Sequence, residues 1–345
     1  MRILVDKLTS VTKNVPLSHR LKVTADFKPR DGILLVVEVL DNKKIYNKIE
    51  LVNGRFSIVK KGDILVVALG ERRALRGFVG AVPKQLTPGG IIHLLNLGGV
   101  AGECTSSSTQ HVGMPMRLKV VGAVADDAGK AMSIKQYTLF KPQKKLISPV
   151  PLIIVSGTCM NVGKTSVASE IIKHASHSGY NVAAAKLAGI AALKDTEIMQ
   201  DYGAVSVASF LDAGYTSTIG LNGDGSKLTY GALNYLSKSK PDAIVVEFGD
   251  GILGEYGVLT LLKDPALRKR VKAHIGCAHD PVGALKLYEL CKEMKMPLTL
   301  ISGPVTDNSV GVGFIENNIH LQGVNALYNG KALYQAIEPL CFKKK

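Results

Sequence analysis

The sequence is thin in several residue types, and each shortage excludes something. It has five cysteines, Cys104, Cys159, Cys277, Cys291 and Cys341. They are scattered, odd in number and form no C-x-x-C pair, which argues against a zinc site or a disulfide framework and fits a reducing, cytoplasmic compartment. Tryptophan is absent, and aromatic residues make up only 6% of the 345 residues. In the first 150 residues they are chiefly Phe27, Tyr46, Phe56 and Phe78, too few to stack bases along a single-stranded nucleic acid. Long apolar runs are also missing. "ILVVALG" and "PLIIVSG" fall far short of the ~20 residues that cross a bilayer, so no membrane association is expected. The start, "MRILVDKLTS", lacks the apolar core and small-residue cleavage site of a secretory signal.

Acidic residues are scarce in one half only. Residues 1–150 hold 24 Lys+Arg against 11 Asp+Glu, a balance of +13, whereas residues 151–345 hold 19 against 17, a balance of +2. The excess suits a soluble lysine-rich surface, or an acidic partner met by the first half. Arg72, Arg73 and Arg76 in "GERRALRG" are the natural contact cluster for such a partner.

The two halves differ in pattern as well. "KIYNKIELVNGRFSIV" alternates apolar residues on both sides of Asn53-Gly54, a type I′ hairpin signal. "LLVVEVL" and "KKGDILVVALG" read as strands, and "RLKVVGAVADDAGKAMSIKQYTL" as a hairpin turning at Asp127 to Gly129. "LLNLGGVAGECTSSST" is Gly- and Ser-rich and is expected to be irregular. Short strands with turns between them predict a β-rich, barrel- or sandwich-like domain over residues 1–147. The linker "FKPQKKLISPVP" ends it. From residue 148 to 345, apolar strands alternate with helices, which predicts an α/β domain with a mostly parallel, doubly wound sheet.

That second domain opens on "PLIIVSGTCMNVGKTS". A strand, a glycine-containing loop and a helix start follow one another, as in phosphate-binding P-loops, although Thr158 stands where the first glycine of G-x-x-x-x-G-K-[ST] belongs and Gly157 lies one place early. Backbone N–H groups of such a loop and the helix N-terminus hold phosphate oxygens. Gly157, Thr158, Asn161, Val162, Gly163, Lys164, Thr165 and Ser166 are the expected nucleotide contacts, with Lys164 reaching the β/γ-phosphates and Thr165 holding Mg²⁺. Glu247, at the end of the apolar strand in "DAIVVEFGDG", is the expected second metal or water ligand, and Asp250 follows in the glycine-rich turn. Lys186 ends "NVAAAK" and faces the same expected edge. Weaker candidates for substrate contacts are Asp195, Asp212 and His279, with Asn308 as a candidate base contact. For Asp195 the alternative is a helix cap, and Asp280 reads as the cap of the helix that starts at Pro281. Cys159 reads mainly as a small loop residue.

"GTCMNVGKTS" and "VVEFGDG" resemble the loop and the V-E-G-A-G-G stretch of dethiobiotin synthetases. That resemblance places Lys186 at the substrate-side lysine, while Cys159 stands where those enzymes carry an aspartate. A longer co-linear set is similar to the DUF1611 family of P-loop proteins: "GTCMNVGKTS", "AAKLAG", "SFLDAGYTST" and "VVEFGDG", with "GDILVVALGERRALRGFVG" and "LLNLGGVAG" upstream. It implies nucleotide contacts at Gly163, Lys164 and Thr165 and directs attention to Lys186, Asp212, Glu247 and Asp250. The extra loop lysine of signal-recognition and partitioning NTPases has no counterpart between Thr158 and Val162, which argues against a dimeric machine of that kind. The expected function is binding of Mg-ATP, with GTP as the alternative since no N-K-x-D motif decides it, and phosphoryl transfer or ligation on a small, carboxylate-type metabolite. The competing reading is a nucleotide-regulated adaptor whose basic first domain holds an acidic partner. The expected partners are therefore a nucleotide, an unidentified small-molecule substrate, such an acidic partner and a further copy of the chain.

Overall fold

The computed structural model describes residues 1–221 and 223–342. The chain divides into two compact units. The first comprises Met1–Leu139 together with Ile190–Lys194 and Phe210–Ile219, and the second comprises Phe140–Gly189, Asp195–Ser209 and Gly220–Lys345. The expected single cut at 147/148 is thus replaced by a division at 139/140, and two later segments belong to the first unit.

The first unit is built on five strands: β1 (Leu34–Val39), β2 (Ile64–Leu69), β3 (Ile91–Leu94), β4 (Val100–Ser107) and β5 (Met116–Ala125). β5 pairs with β1, β1 with β2, β2 with β4, β4 with β3 and β3 with β5, so the ladder closes on itself. Only the β2–β4 pair is parallel. This is a small closed barrel, and closure leaves none of the five with two free edges. Alternate residues fill it: Leu35, Val37 and Val39; Leu65, Val67 and Leu69; Ile92 and Leu94; Met116, Leu118 and Val120. The period of two is what sends them to one face.

Three sequence expectations are corrected here. The Gly- and Ser-rich stretch is not irregular: it supplies the eight-residue β4, which is held by β2, by β3 and by the strand Phe78–Ala81. The hairpin of Lys48–Glu50 and Phe56–Ile58 forms, but Leu51 and Arg55 are joined across a three-residue loop in which only Gly54 has positive φ (78°). It is therefore not a two-residue type I′ turn. Third, the turn at Asp126 to Lys130 forms, yet its downstream limb makes only isolated bridges, Ala131 with Ala125 and Ser133 with Ile33, and passes into a 3₁₀ turn, Ile134–Gln136, capped by Ser133.

The second unit is an α/β domain with a parallel sheet. Its strands are β6 (Leu152–Gly157), β7 (Val182–Ala188), β8 (Ser206–Ser209), β9 (Ala243–Phe248), β10 (Val271–Cys277), β11 (Leu300–Ser302) and β12 (Gln322–Gly323). They pair in the order β8-β7-β9-β6-β10-β11-β12, and every pair is parallel. The helices are α1 (Lys164–His177), α2 (Lys194–Asp201), α3 (Asp224–Leu236), α4 (Pro281–Glu293) and α5 (Ala326–Cys341), besides shorter ones. α1 buries Val167, Ala168, Ile171, Ile172 and Ala175, one stripe at helical spacing, against β6, β7 and β9. It stops at Gly179, whose φ of 82° ends the helix as a left-handed glycine does. Among the described residues, no helix is long and apolar enough to cross a membrane.

Candidate functional site

A parallel sheet presents its ligand sites at the carboxyl ends of its strands. Here β6 and β9 are immediate neighbours, with Val155 opposite Glu247, and β7 flanks β9 with Lys186 opposite Glu247. One row across the sheet therefore brings Lys186 and Glu247 beside the start of the phosphate loop.

The loop leaves β6 at Gly157, whose carbonyl accepts the N–H of Ile252 at 2.8 Å. Asn161 (φ 61°) and Gly163 (φ 86°) are left-handed. Asparagine is among the few side chains that tolerate this, and such residues turn backbone N–H groups toward an anion. The glycine-rich turn after β9 packs on the loop so closely that a Cβ on Gly251 would overlap the carbonyl of Thr158. Asp250, itself left-handed (φ 63°), lies in this turn.

The expected contacts do not all have the same freedom. Thr158 donates its N–H to the Cys277 carbonyl at 2.9 Å, so that donor belongs to the sheet and is not available to phosphate. Val162 is fully buried in the core, which leaves only its backbone for a ligand. Lys164 is buried and donates to the Cys159 carbonyl at 2.7 Å. Burial pushes its ammonium below the ordinary lysine range, while Glu247 and Asp250 oppose that shift. Ser166 lies half-buried in the first turn of α1.

Thr165 is the centre of the cluster. Its hydroxyl lies 3.1 Å from Glu247 Oε1 and 3.5 Å from Asp195 Oδ1, and the other Asp195 oxygen is ion-paired to Lys186. Glu247 is 3% exposed, and its Oε2 has no hydrogen-bond partner. Burial, reinforced by the Asp195 carboxylate, pushes Glu247 up to about 7. An unpartnered buried carboxylate oxygen beside a hydroxyl and a second carboxylate fits a hard divalent cation. Among the described residues, no three His, Cys, Asp or Glu converge. A cation here would rest on the Thr165 hydroxyl and two carboxylates, with the rest of its shell from waters and phosphate, as Mg²⁺ prefers.

The structure therefore brings together Lys164, Thr165, Lys186, Asp195, Glu247 and Asp250. Asp195 is not a helix cap: it lies within the first turn of α2, and its carboxylate turns to Lys186 and Thr165. Asp212 stands apart, as a buried member of the barrel unit paired to Lys13 at 2.8 Å and bonded by Asn14 at 3.1 Å. His279 is exposed, and Asp280 beside it caps α4 by accepting the Gly283 N–H. Asn308 caps the short helix Ser309–Phe314. Arg72 is not a surface contact. It is 5% exposed, bonds the Tyr46 hydroxyl and the Leu95 carbonyl, and lies over the Tyr46 and Phe78 rings.

Sequence reasoning missed Glu50 and the Ser156–His274 pair. Glu50 is a lone acid in a strand, with no local signal. His274, 1% exposed, gives Nδ1 to the Met296 carbonyl at 3.0 Å and faces the Ser156 hydroxyl with Nε2 at 2.7 Å. The carbonyl can only accept, so Nδ1 carries the proton and Ser156 donates to Nε2.

No family model matches the chain, and no curated protein matches it. Solved structures do. The signal recognition particle receptor FtsY from Elizabethkingia anophelis is 11% identical, with a TM-score of 0.38 over 59% of this chain and 69% of that one. The signal recognition particle 54 kDa protein from Aeropyrum pernix K1, in complex with GDP, is 16% identical, with a TM-score of 0.38 over 58% of this chain and 52% of that one. A DUF1611 family protein from Anabaena variabilis is 14% identical, with a TM-score of 0.38 over 58% of this chain and 62% of that one. At such values the likeness brings no activity with it.

Proposed function

We propose that this chain binds a magnesium nucleotide, ATP by preference over GTP, and uses it for phosphoryl transfer or ligation on a small metabolite, with carboxylates the first acceptors to test. The observation that carries this is the Thr165 hydroxyl set between Glu247 and Asp195, with Glu247 Oε2 unpartnered, at the end of the loop. Thr165, Glu247 and Asp195 would hold Mg²⁺, which when bound neutralises developing phosphate charge. Lys164 would leave the Cys159 carbonyl for the β/γ-phosphates, a stronger, charge-assisted bond. Glu247, held near neutrality by burial, suits orienting a nucleophile and holding its proton. Asp250, which lowers the potential at Lys164, is the other candidate for that task. Lys186 would balance charge on the acceptor side, once Asp195 turns to the cation. The resemblance to the DUF1611 family, on the motifs in both halves, accords with this reading.

Calorimetric titration with ATP and with GTP, in Mg²⁺, tests the proposal. Lys164→Ala should weaken binding by about 100-fold, the worth of one lost hydrogen bond to a charged group. Equal affinity of the two proteins defeats the reading. A nucleotide-regulated adaptor is the second reading, favoured by the +13 balance of residues 1–150. Rapid phosphorylation of a metabolite in the absence of any partner protein would remove it.

A further inference from the structure

Within the barrel unit, one row across three strands sets a cation on the same face as a thiol. Arg72 stands opposite Gly80, and Gly80 stands opposite Cys104. Directly opposed residues share a face of the sheet, and Gly80 places no side chain between the other two. Phe78, two residues before Gly80, shares that face and meets Tyr46 edge-on, with ring centroids 5.4 Å apart. Two cations lie over these rings. The Arg72 guanidinium is 5.8 and 6.0 Å from the Tyr46 and Phe78 centroids, and the Lys43 ammonium is 5.9 and 5.2 Å from them. Leu95 and Val112 complete an apolar wall with Phe78. All of these residues belong to the first unit.

Two positive charges so placed call for an acid, and none is paired with them. Arg72 is 5% exposed. Its bonds to the Tyr46 hydroxyl and the Leu95 carbonyl both leave from Nη1, and both go to neutral groups. Its Nε is buried and has no partner. Lys43 donates to the Val112 carbonyl at 3.0 Å, again a neutral group. Among the described residues, neither cation is ion-paired to an Asp or Glu. The carboxylate that acts on Lys43 is Asp41, and both its oxygens are already held by Arg117. Burial pushes the Lys43 ammonium below the ordinary lysine range. A desolvated cation without a counter-ion is costly, and an anion bound beside it removes that cost.

We infer that Arg72 and Lys43 form an anion site of the barrel unit, and that its ligand is the phosphate group of a small molecule. The unpartnered Nε lies on an edge of the guanidinium that takes an oxyanion in a forked pair, and the ammonium adds a second point charge. Two cations match the two charges of a phosphate group better than the single charge of a carboxylate. The rings and the aliphatic wall keep water away, which strengthens each contact. The site owes nothing to the magnesium-nucleotide reading, which concerns residues of the other unit.

Cys104 supplies a readout confined to this unit. Its half-buried thiol donates to the Ser106 carbonyl at 3.2 Å. Burial pushes that thiol up, whereas Arg72 and Lys43 favour its thiolate. An anion that neutralises the two cations should therefore slow alkylation of Cys104. The full chain is treated with iodoacetamide at constant ionic strength, in rising inorganic phosphate or in acetate, and modification of the Cys104 peptide is followed by mass spectrometry. Phosphate should slow it about fivefold or more, saturating below about 10 mM, and acetate should act about tenfold more weakly. Lys43→Met should weaken the protection about tenfold, the loss of one charge-assisted contact, and Arg72→Met should abolish it. Absence of protection in the wild type, protection that both variants retain, or equal protection by acetate overturns the assignment. If Arg72→Met does not fold, Lys43→Met decides alone, because Lys43 is only half-buried. If Cys104 resists alkylation, phosphate is titrated by calorimetry into Lys164→Ala protein, whose phosphate loop is disabled. Binding that Lys43→Met weakens about tenfold then supports the site, and no binding, or binding that Lys43→Met leaves unchanged, overturns it.

Discussion

Two glutamates, one in each unit, lie at or next to the end of a strand under nearly complete burial, and their surroundings are opposite in kind. Glu50 accepts bonds from Ser10, Leu193 and Lys194 and so engages both its oxygens. Glu247 accepts one bond from Thr165 and leaves Oε2 unpartnered, with Asp195 as a like-charged neighbour. A satisfied buried acid strengthens a fold, whereas an unsatisfied one costs stability and persists where a ligand is to complete it. The barrel unit spends its buried charge on holding chain segments together, as Asp212 with Lys13 and Asn14 also does. The α/β unit gathers its charge around one threonine.

The largest test of this contrast is Glu50→Ala. It removes the acceptor of the buried Leu193 N–H and of the Lys194 N–H and leaves Ser10 only the Gly98 carbonyl, and should cost about 2–3 kcal/mol in denaturant unfolding. A loss below about 1 kcal/mol would mean that water replaces the carboxylate and that these bonds are not structural.

Acid sensitivity sharpens the comparison from the α/β side. Burial pushes the His274 imidazole down to about 4, below its unfolded value, so the folded state resists protonation. Stability is therefore whole above about pH 6.5 and falls as pH drops toward 4, by about 3 kcal/mol from this residue. His274→Gln should flatten that part of the melting-temperature profile, and an unchanged slope would place acid sensitivity elsewhere.

Glu247→Gln should give a smaller effect of opposite sense. Its folded value is raised, so the native state favours the protonated carboxyl, and its contribution is full below about pH 4.5 and lost as pH rises through about 7. In EDTA the variant should melt higher than wild type at pH 8, by about 1–3 kcal/mol, and nearly level with it at pH 5. A destabilised variant at pH 8 would show that Glu247 is held as Glu50 is, and the contrast would fail.

How much of this was legible in the sequence follows from what is local. The loop, α1 and Glu247 could be read because each depends on a run of neighbours: an apolar strand, a glycine, then Lys164-Thr165. Asp195 was visible only as an acid near a helix start, since nothing in "LKDTEI" tells which way a carboxylate turns. Arg72 was misread because a basic run looks solvated, and its burial depends on Tyr46, Phe78 and Leu95, all remote in sequence. Glu50 left no signal at all, because its two backbone partners lie more than a hundred positions away. The strand from Val100 was hidden by glycines and serines whose pairing on three sides outweighs their poor strand preference.

The order in which a ribosome delivers the chain gives the split barrel unit a further meaning. Its main body is finished at Leu139, but its last segment ends at Ile219, 80 residues later (219 − 139). At ~5–20 residues per second, that is a wait of about 4–16 s. When Leu139 is made, Asn96 still lacks Ala191, Glu50 lacks both its amides and Lys13, which waits longest, lacks Asp212. By the time those partners emerge, β6, α1 and β7 have already been made. The five strands that close the barrel are thus all made before the phosphate loop, while the last partners of its buried side chains follow that loop.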